Sequence, residues 1–308
     1  MHRVLKHEIK NRNEWLSRRS RNINSTDVAA LFGFSTLTAF ELYQRLVGHY
    51  RVETHESEAM ALGRLSERET ARYIAKTEGY KIRKNRFYLE DTINRMGASY
   101  DYEIVSPFRA NFEIKQVDRG VFQEAWHQDE AGEYQAPGHI EIQVQVQMAL
   151  GGYDATILGV RVGGNRVVSF CRKKDDKTIE EIRQAVKNMW LCVDTKKPPP
   201  VDYAADADFL KKFYTPVKDV ELDLTHNPEM TDLAKKFLSI QKEIKSLTKQ
   251  KTEIMGQFLD RIRDASRARG PGYTISAGMR RGYNVKAHHV NPTRLFSIRA
   301  DKGFIDGK

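Results

Sequence analysis

The densest set of chemically useful side chains lies between Gly97 and Lys115, reading GASYDYEIVSPFRANFEIK. Asp101 is followed, after eleven residues, by Glu113-Ile114-Lys115. The run Asn111 to Lys115 alternates polar and apolar residues, which predicts a half-buried strand. Glu113 and Lys115 then project from one face, because strand side chains alternate with period two. Asp101 comes beside that face if residues 102–112 form a hairpin turning near Ser106-Pro107. Two carboxylates and an ammonium then meet at one point. Paired carboxylates suit a hard divalent cation such as magnesium, which takes oxygen ligands and keeps several waters. Such an ion polarises a phosphoryl oxygen and supplies hydroxide at neutral pH. A lysine beside it can steer the attacking water or offset charge in the transition state. Glu-x-Lys alone is common and is read most simply as a surface ion pair. The longer order of glycine, small residue, Asp, hairpin and apolar-Glu-apolar-Lys is what favours a metal site.

Several elements must position these groups. Tyr80 to Leu89 reads as a strand leading into the hairpin. Met60 to Ile74 reads as a helix with Leu62, Leu65, Tyr73 and Ile74 at helical spacing, and periodicity alone puts Glu67 on its solvated face. His139 to Leu150 (HIEIQVQVQMAL) alternates strictly, which suggests a strand. Its residues are nonetheless good helix formers, and Gly151-Gly152 supplies a stop, so a helix is expected. Glutamines spaced by two cannot share one helical face, so at most one or two reach a site. Val121 to Trp126 suggests a helical turn and residues 127–138 a flexible loop. Residues 154–162 and 166–171 suggest a strand pair, and Glu180 to Val193 an amphipathic helix. Lys197-Pro198-Pro199-Pro200 ends it and marks a domain boundary.

Near the N-terminus, Glu14-Trp15-Leu16 precedes a basic run, Arg18-Arg19-Ser20-Arg21. Residues 23–33 read as a capped helix, with Ser25 or Thr26 as N-cap and Gly33 as the stop. A helix N-terminus beside arginines suits a phosphate; an ordinary capped helix with solvated arginines suits the sequence equally. A short helix, Ala39 to Val47, follows, and residues 50–58 are a polar loop.

The 308-residue chain carries a formal net charge of +10. That balance favours a polyanionic partner, nucleic acid above all, with acidic membrane surfaces as the alternative. No segment approaches eighteen consecutive apolar residues, so no bilayer span is expected. The N-terminus lacks the apolar core of a signal peptide. Cys171 and Cys192 show no metal-ligand spacing, so reduced thiols in a cytoplasmic setting are expected. In the tail, Met230, Leu233, Phe237, Ile240, Ile244, Leu247, Ile254 and Phe258 keep 3-4 spacing, interrupted by Lys251. That pattern predicts a coiled-coil-like helix needing a partner, either within the chain or on another protomer. From Gly270 the chain reads as short strands and loops, with Tyr273, Tyr283, His288 and His289. The adjacent histidines point apart on a strand and make a poor metal site.

Taken in order, these blocks resemble the YqaJ-like viral recombinase family, the phage lambda exonuclease family, within the PD-(D/E)xK nuclease superfamily. The resemblance covers roughly residues 12–195. It rests on WLSRRSRNINSTDVAALFG (Trp15 to Gly33), Gly63-x3-Glu67, Gly97-Ala98-Ser99-x-Asp101, Glu113-x-Lys115 and Gln143-Val144-Gln145 before Gly152. It implies an α/β fold, a restriction-endonuclease-like core with a central mixed sheet flanked by helices, plus a helical C-terminal extension. The core would span 1–197. The extension, 198–308, would hold the coiled-coil-like helix (about 229–265) and a basic tail. Residues 200–308 have no counterpart in compact family members.

The resemblance assigns Asp101 and Glu113 as metal-binding carboxylates, with the backbone carbonyl of Ile114 as a further ligand and Glu67 completing the site, often through water. Lys115 becomes the catalytic lysine, and Gln143 the helix glutamine that positions the nucleophile. Arg19, Thr26 and Ser99 fall in the pocket for a terminal 5′ phosphate. Thr26 stands where serine is frequent, and Tyr102 follows Asp101 where glycine is usual. The activity implied is a magnesium-dependent deoxyribonuclease, with manganese as substitute, acting 5′ to 3′ on linear double-stranded DNA. It would leave 3′ single strands for phage-type recombination. A single-strand annealing protein, a homo-oligomer (a trimer by resemblance) and the cytoplasm of a bacterium or phage-infected host complete the expectation. The rivals are a structure-selective or nicking endonuclease of the same superfamily and a non-catalytic DNA-binding recombination factor. Arg19, Thr26 and Ser99 argue against the first, and the intact carboxylates and lysine against the second.

Overall fold

The computed structural model describes residues 4–51, 57–130, 132–216 and 218–279. The chain opens with a strand, β1 (Val4–Glu8), and a helix, α1 (Arg12–Arg19), neither evident from sequence pattern. The Asn11 side chain caps α1 by accepting from the Glu14 amide at 2.9 Å. Then come β2 (Ile23–Asn24), α2 (Ala39–Leu46) and the long α3 (Glu58–Glu78), which starts before the expected Met60. The expected single strand from Tyr80 to Leu89 is instead β3 (Lys81–Lys84) and β4 (Phe87–Asp91), which lie in different sheets. Asn85 makes the break. Its amide donates to Asp101 O, and its side chain spans Phe87 and Tyr100.

After β5 (Met96–Ala98), the expected hairpin forms from β6 (Tyr102–Ser106) and β7 (Ala110–Val117). Helix α4 (Arg119–Ala125) follows. Residues 127–138, expected as a loop, contain a small hairpin of β8 (His127–Gln128) and β9 (Tyr134–Gln135). Next come α5 (Gly138–Gly151), β10 (Ala155–Val162), β11 (Arg166–Lys173) and α6 (Asp176–Thr195).

The strands form a four-stranded sheet, β1-β4-β5-β2, and a five-stranded sheet, β11-β10-β7-β6-β3. In the second, β7 runs parallel to β10 and antiparallel to β6. The expected α/β core, a mixed sheet flanked by helices with a helical extension after it, is what the chain builds.

Helix α5 explains its own ambiguous sequence. Ile142, Val146 and Leu150 pack into one core with β4, β5, α2 and α6. Ile140, Val144 and Met148 pack into a second with α4 and β10. Each set recurs every four residues, as one helical face requires. A helix buried on two opposed faces therefore alternates like a strand. A third core, with Ala71 and Ile74 of α3 against Ile104, Phe112 and Ile157, seals the far face of the five-stranded sheet.

The chain divides into two units, Met1–Phe209 and Leu210–Lys308. Residues just past the proline run stay with the first: Asp206 accepts from the Thr38 hydroxyl, and Phe209 packs edge-on against Phe40 and Tyr50. The division falls within α7 (Ala207–Phe213). The second unit contains α8 (Pro228–Ile262) and a hairpin of β12 (Arg267–Gly270) and β13 (Tyr273–Ser276). Tyr283, His288 and His289 lie outside the described residues. Among the described residues no helix is long and apolar enough to cross a membrane. Both cysteines are free thiols.

Candidate active site

Strand β7 carries Glu113 into the protein, where it is 4% exposed. Such burial of a carboxylate demands partners, and Glu113 has them. Its Oε1 accepts from Lys115 Nζ at 2.8 Å and from Gln143 Nε2 at 2.7 Å, and its Oε2 from Gln147 Nε2 at 3.0 Å. Lys115 also donates to Gln143 Oε1 at 3.0 Å, closing a triangle of three side chains. Burial pulls the Lys115 ammonium down, but Glu113, Asp101 and Glu67 outweigh it and hold it above the ordinary lysine range.

Asp101 precedes β6 and joins from the next strand, its Oδ2 accepting from the Ile114 amide at 2.9 Å. Burial, then the charges of Glu113 and Glu67, push its carboxyl well above the usual range. Glu67 on α3 is thus in electrostatic reach of the site, but its carboxylate is paired with Lys84. Among the described residues no three His, Cys, Asp or Glu side chains form a ready-made metal cluster. The donors on this edge are Asp101, Glu113 and the Ile114 carbonyl. The N–H and C=O of one strand residue face the same neighbour, and the Ile114 amide faces Asp101. Two carboxylates and a carbonyl fit a hard, partly hydrated cation.

The expected helix at 23–33 is different. Only a short 3-10 turn forms, Val28–Phe32, ending at Gly33 with φ 72°, and no side chain caps its start. The Ser25 amide is taken by Gly97 O at 2.8 Å, and the Asp27 carboxylate accepts from the Asn24 backbone and side chain. Thr26 is therefore no N-cap; its hydroxyl accepts from Arg19 Nη2 at 2.9 Å. The Arg19 guanidinium lies 4.5 Å from the Trp15 ring centroid, and the Trp15 indole N–H donates to Ser99 Oγ at 3.1 Å. Arg19, Thr26 and Ser99 thus belong to one contact chain, without a helix N-terminus behind them.

Ser99 joins this chain to the carboxylate centre. Its carbonyl accepts from Gln147 Nε2 at 2.8 Å, the same amide that reaches Glu113. Asn111 Nδ2 fixes Gln147 from behind at 2.9 Å. The sequence pattern alone assigns no role at the site to Gln147, Trp15 or Lys84. Gln147 was accessible to it, since Gln143 and Gln147 stand four apart on one helical face. Gln145 points elsewhere, to Lys173 O and the Asp175 amide.

Gly97 shows why the motif begins with glycine. A Cβ there would lie 1.7 Å from Tyr88 Oη and 2.3 Å from Tyr88 Cζ. Tyr88 is fully buried and donates to Asn24 Oδ1 at 2.9 Å, so it has nowhere to go. Gly97→Ala should cost about 3 kcal/mol, at or beyond the usual overpacking range. Urea unfolding at wild-type midpoint would contradict this.

Residues 14–154 match the profile of the YqaJ-like viral recombinase domain. Protein YqaJ of Bacillus subtilis (strain 168) is 27% identical over 269 residues, covering 85% of this chain and 82% of the relative. Among solved structures, the alkaline exonuclease LHK-Exo from Laribacter hongkongensis is similar with a TM-score of 0.48 at 22% identity, over 60% of this chain and 94% of that one. A phage related exonuclease from Haemophilus somnus 129PT gives 0.40 at 15% identity, over 62% and 91%. Residues 14–154 of this chain are thus similar to the YqaJ-like viral recombinase domain, and the chain as a whole to protein YqaJ.

Proposed function

We propose that this protein is a magnesium-dependent deoxyribonuclease that degrades linear duplex DNA from the 5′ end, releasing mononucleotides and leaving a 3′ single strand. The similarity of residues 14–154 to the YqaJ-like viral recombinase domain supports the coarser class, a recombinase-type nuclease. One observation supports the finer reading: contacts run unbroken from Arg19 and Thr26 through Trp15, Ser99 and Gln147 to Glu113. A candidate end-phosphate site and a carboxylate–lysine centre share one framework.

In this reading Asp101, Glu113 and the Ile114 carbonyl hold magnesium, or manganese in its place, with Glu67 contributing through water. When bound, the cation polarises the phosphoryl group and lowers the pKa of bound water. Lys115 stays charged through the neutral range and offsets charge developing on the phosphate. Gln143 donates to Glu113 and accepts from Lys115, so it fixes both groups. The net charge of +10 favours the polyanionic substrate. A single-strand annealing protein as partner, a homo-oligomer such as a trimer, and the host cytoplasm belong to the same proposal.

The test is digestion of linear duplexes with 5′-phosphate or 5′-hydroxyl ends, beside covalently closed circles, with and without magnesium. Magnesium-dependent loss of linear DNA, faster with the phosphate, is expected. Cutting of closed circles would establish the nicking endonuclease instead, and binding without cleavage the non-catalytic factor.

Arg19 gives a sharper expectation. Its planar fork can donate paired hydrogen bonds to a terminal phosphate. Arg19→Ala should slow digestion of 5′-phosphorylated duplex strongly and of 5′-hydroxyl duplex little. Equal slowing of both at fixed ionic strength would make Arg19 a general backbone contact.

A further inference from the structure

Helix α8 presents a hydrophobic seam outside the site described above. Ile240, Ile244, Leu247 and Ile254 are 47%, 58%, 54% and 53% exposed. They recur at alternating steps of four and three, with Lys251 filling the one remaining seam position. Tyr273 of the β12–β13 hairpin packs against Phe258, which lies at the end of this stretch. An aliphatic stripe of this length on a 35-residue helix needs a cover.

The charges on α8 select that cover. In a parallel pair, Lys251 would face Lys251 in the seam, flanked by Thr248 and Gln250, with no carboxylate to neutralise it. Run antiparallel, the helix matches itself. Ile244 of one copy then faces Leu247 of the other, and Ile240 faces Lys251. The same register brings Lys251 alongside Glu243 and Arg261 alongside Glu229 of the opposite copy. Opposed helix dipoles add to the preference. We infer that α8 is a self-association surface, whose occupant is the α8 of a second copy of this chain in antiparallel register.

The test uses the full-length chain. Sedimentation equilibrium should show an association step that Ile244→Glu with Leu247→Glu weakens by about a hundredfold or more, since each change buries a carboxylate in the seam. Far-ultraviolet circular dichroism should stay unchanged, which separates lost association from lost helix. Orientation is read by disulfide trapping in a Cys171→Ser, Cys192→Ser background. Ile244→Cys chains mixed with Leu247→Cys chains should cross-link to each other in preference to themselves. Lys251→Leu should keep the association and lose that preference. An unchanged mass in the glutamate variant would overturn the proposal, as would self-cross-linking of Ile244→Cys alone. Association that appears only when another protein is added would also overturn it.

Discussion

Lys115→Ala should lower the rate of DNA cleavage about a hundredfold to a thousandfold, the usual cost of losing one electrostatic stabiliser of a transition state. The Lys115 ammonium is held by contacts on two sides, to Glu113 at 2.8 Å and Gln143 at 3.0 Å, which would fix it for the proposed task. Removing the ammonium leaves the Glu113 carboxylate with both glutamine amides, so the fold should survive. DNA binding should also persist, because the remaining basic residues supply the backbone attraction. The measurement is single-turnover cleavage beside equilibrium binding at the same salt. A variant cleaving near the wild-type rate would remove Lys115 from the centre.

Glu113→Gln should be comparably damaging for a different reason. The substitution removes an anionic donor from the proposed cation site, and it also upsets the hydrogen bonding. Glu113 accepts from Lys115, Gln143 and Gln147, all of which donate. A glutamine amide must turn its own N–H groups toward at least one of those donors, which costs about 1–3 kcal/mol for an unmet buried group. Asp101→Asn keeps an acceptor for the Ile114 amide and loses only the charge, so it separates the two effects. Magnesium should raise the melting temperature of the wild-type protein by mass action and leave both variants unmoved. Calorimetry giving wild-type magnesium affinity in both would contradict the site.

The sequence revealed the β6–β7 hairpin because its two signals agreed: polar–apolar alternation, and a turn at Ser106-Pro107. It revealed α5 only through composition and its glycine stop, since burial on two faces mimics a strand period. What stayed hidden was set by contacts far apart in the chain. Nothing local says that Asn85 splits the single expected strand from Tyr80 to Leu89 between two sheets. Nothing local says that the Ser25 amide goes to Gly97 rather than opening a helix. Trp15 and Lys84 enter only through their distant partners, Ser99 and Glu67.

Ser99 offers the strands β5 and β6 a single hinge of geometry: its hydroxyl belongs to the Trp15–Arg19 side and its carbonyl to the Gln147–Glu113 side. If the first side holds a DNA end and the second cuts, as proposed above, the spacing between them is set within one residue of backbone. On the proposed reading it would act as a gauge that sets how much strand is removed at each step, whatever the bases. Product length would then be a property of the protein's covalent structure, with equal increments expected along any sequence.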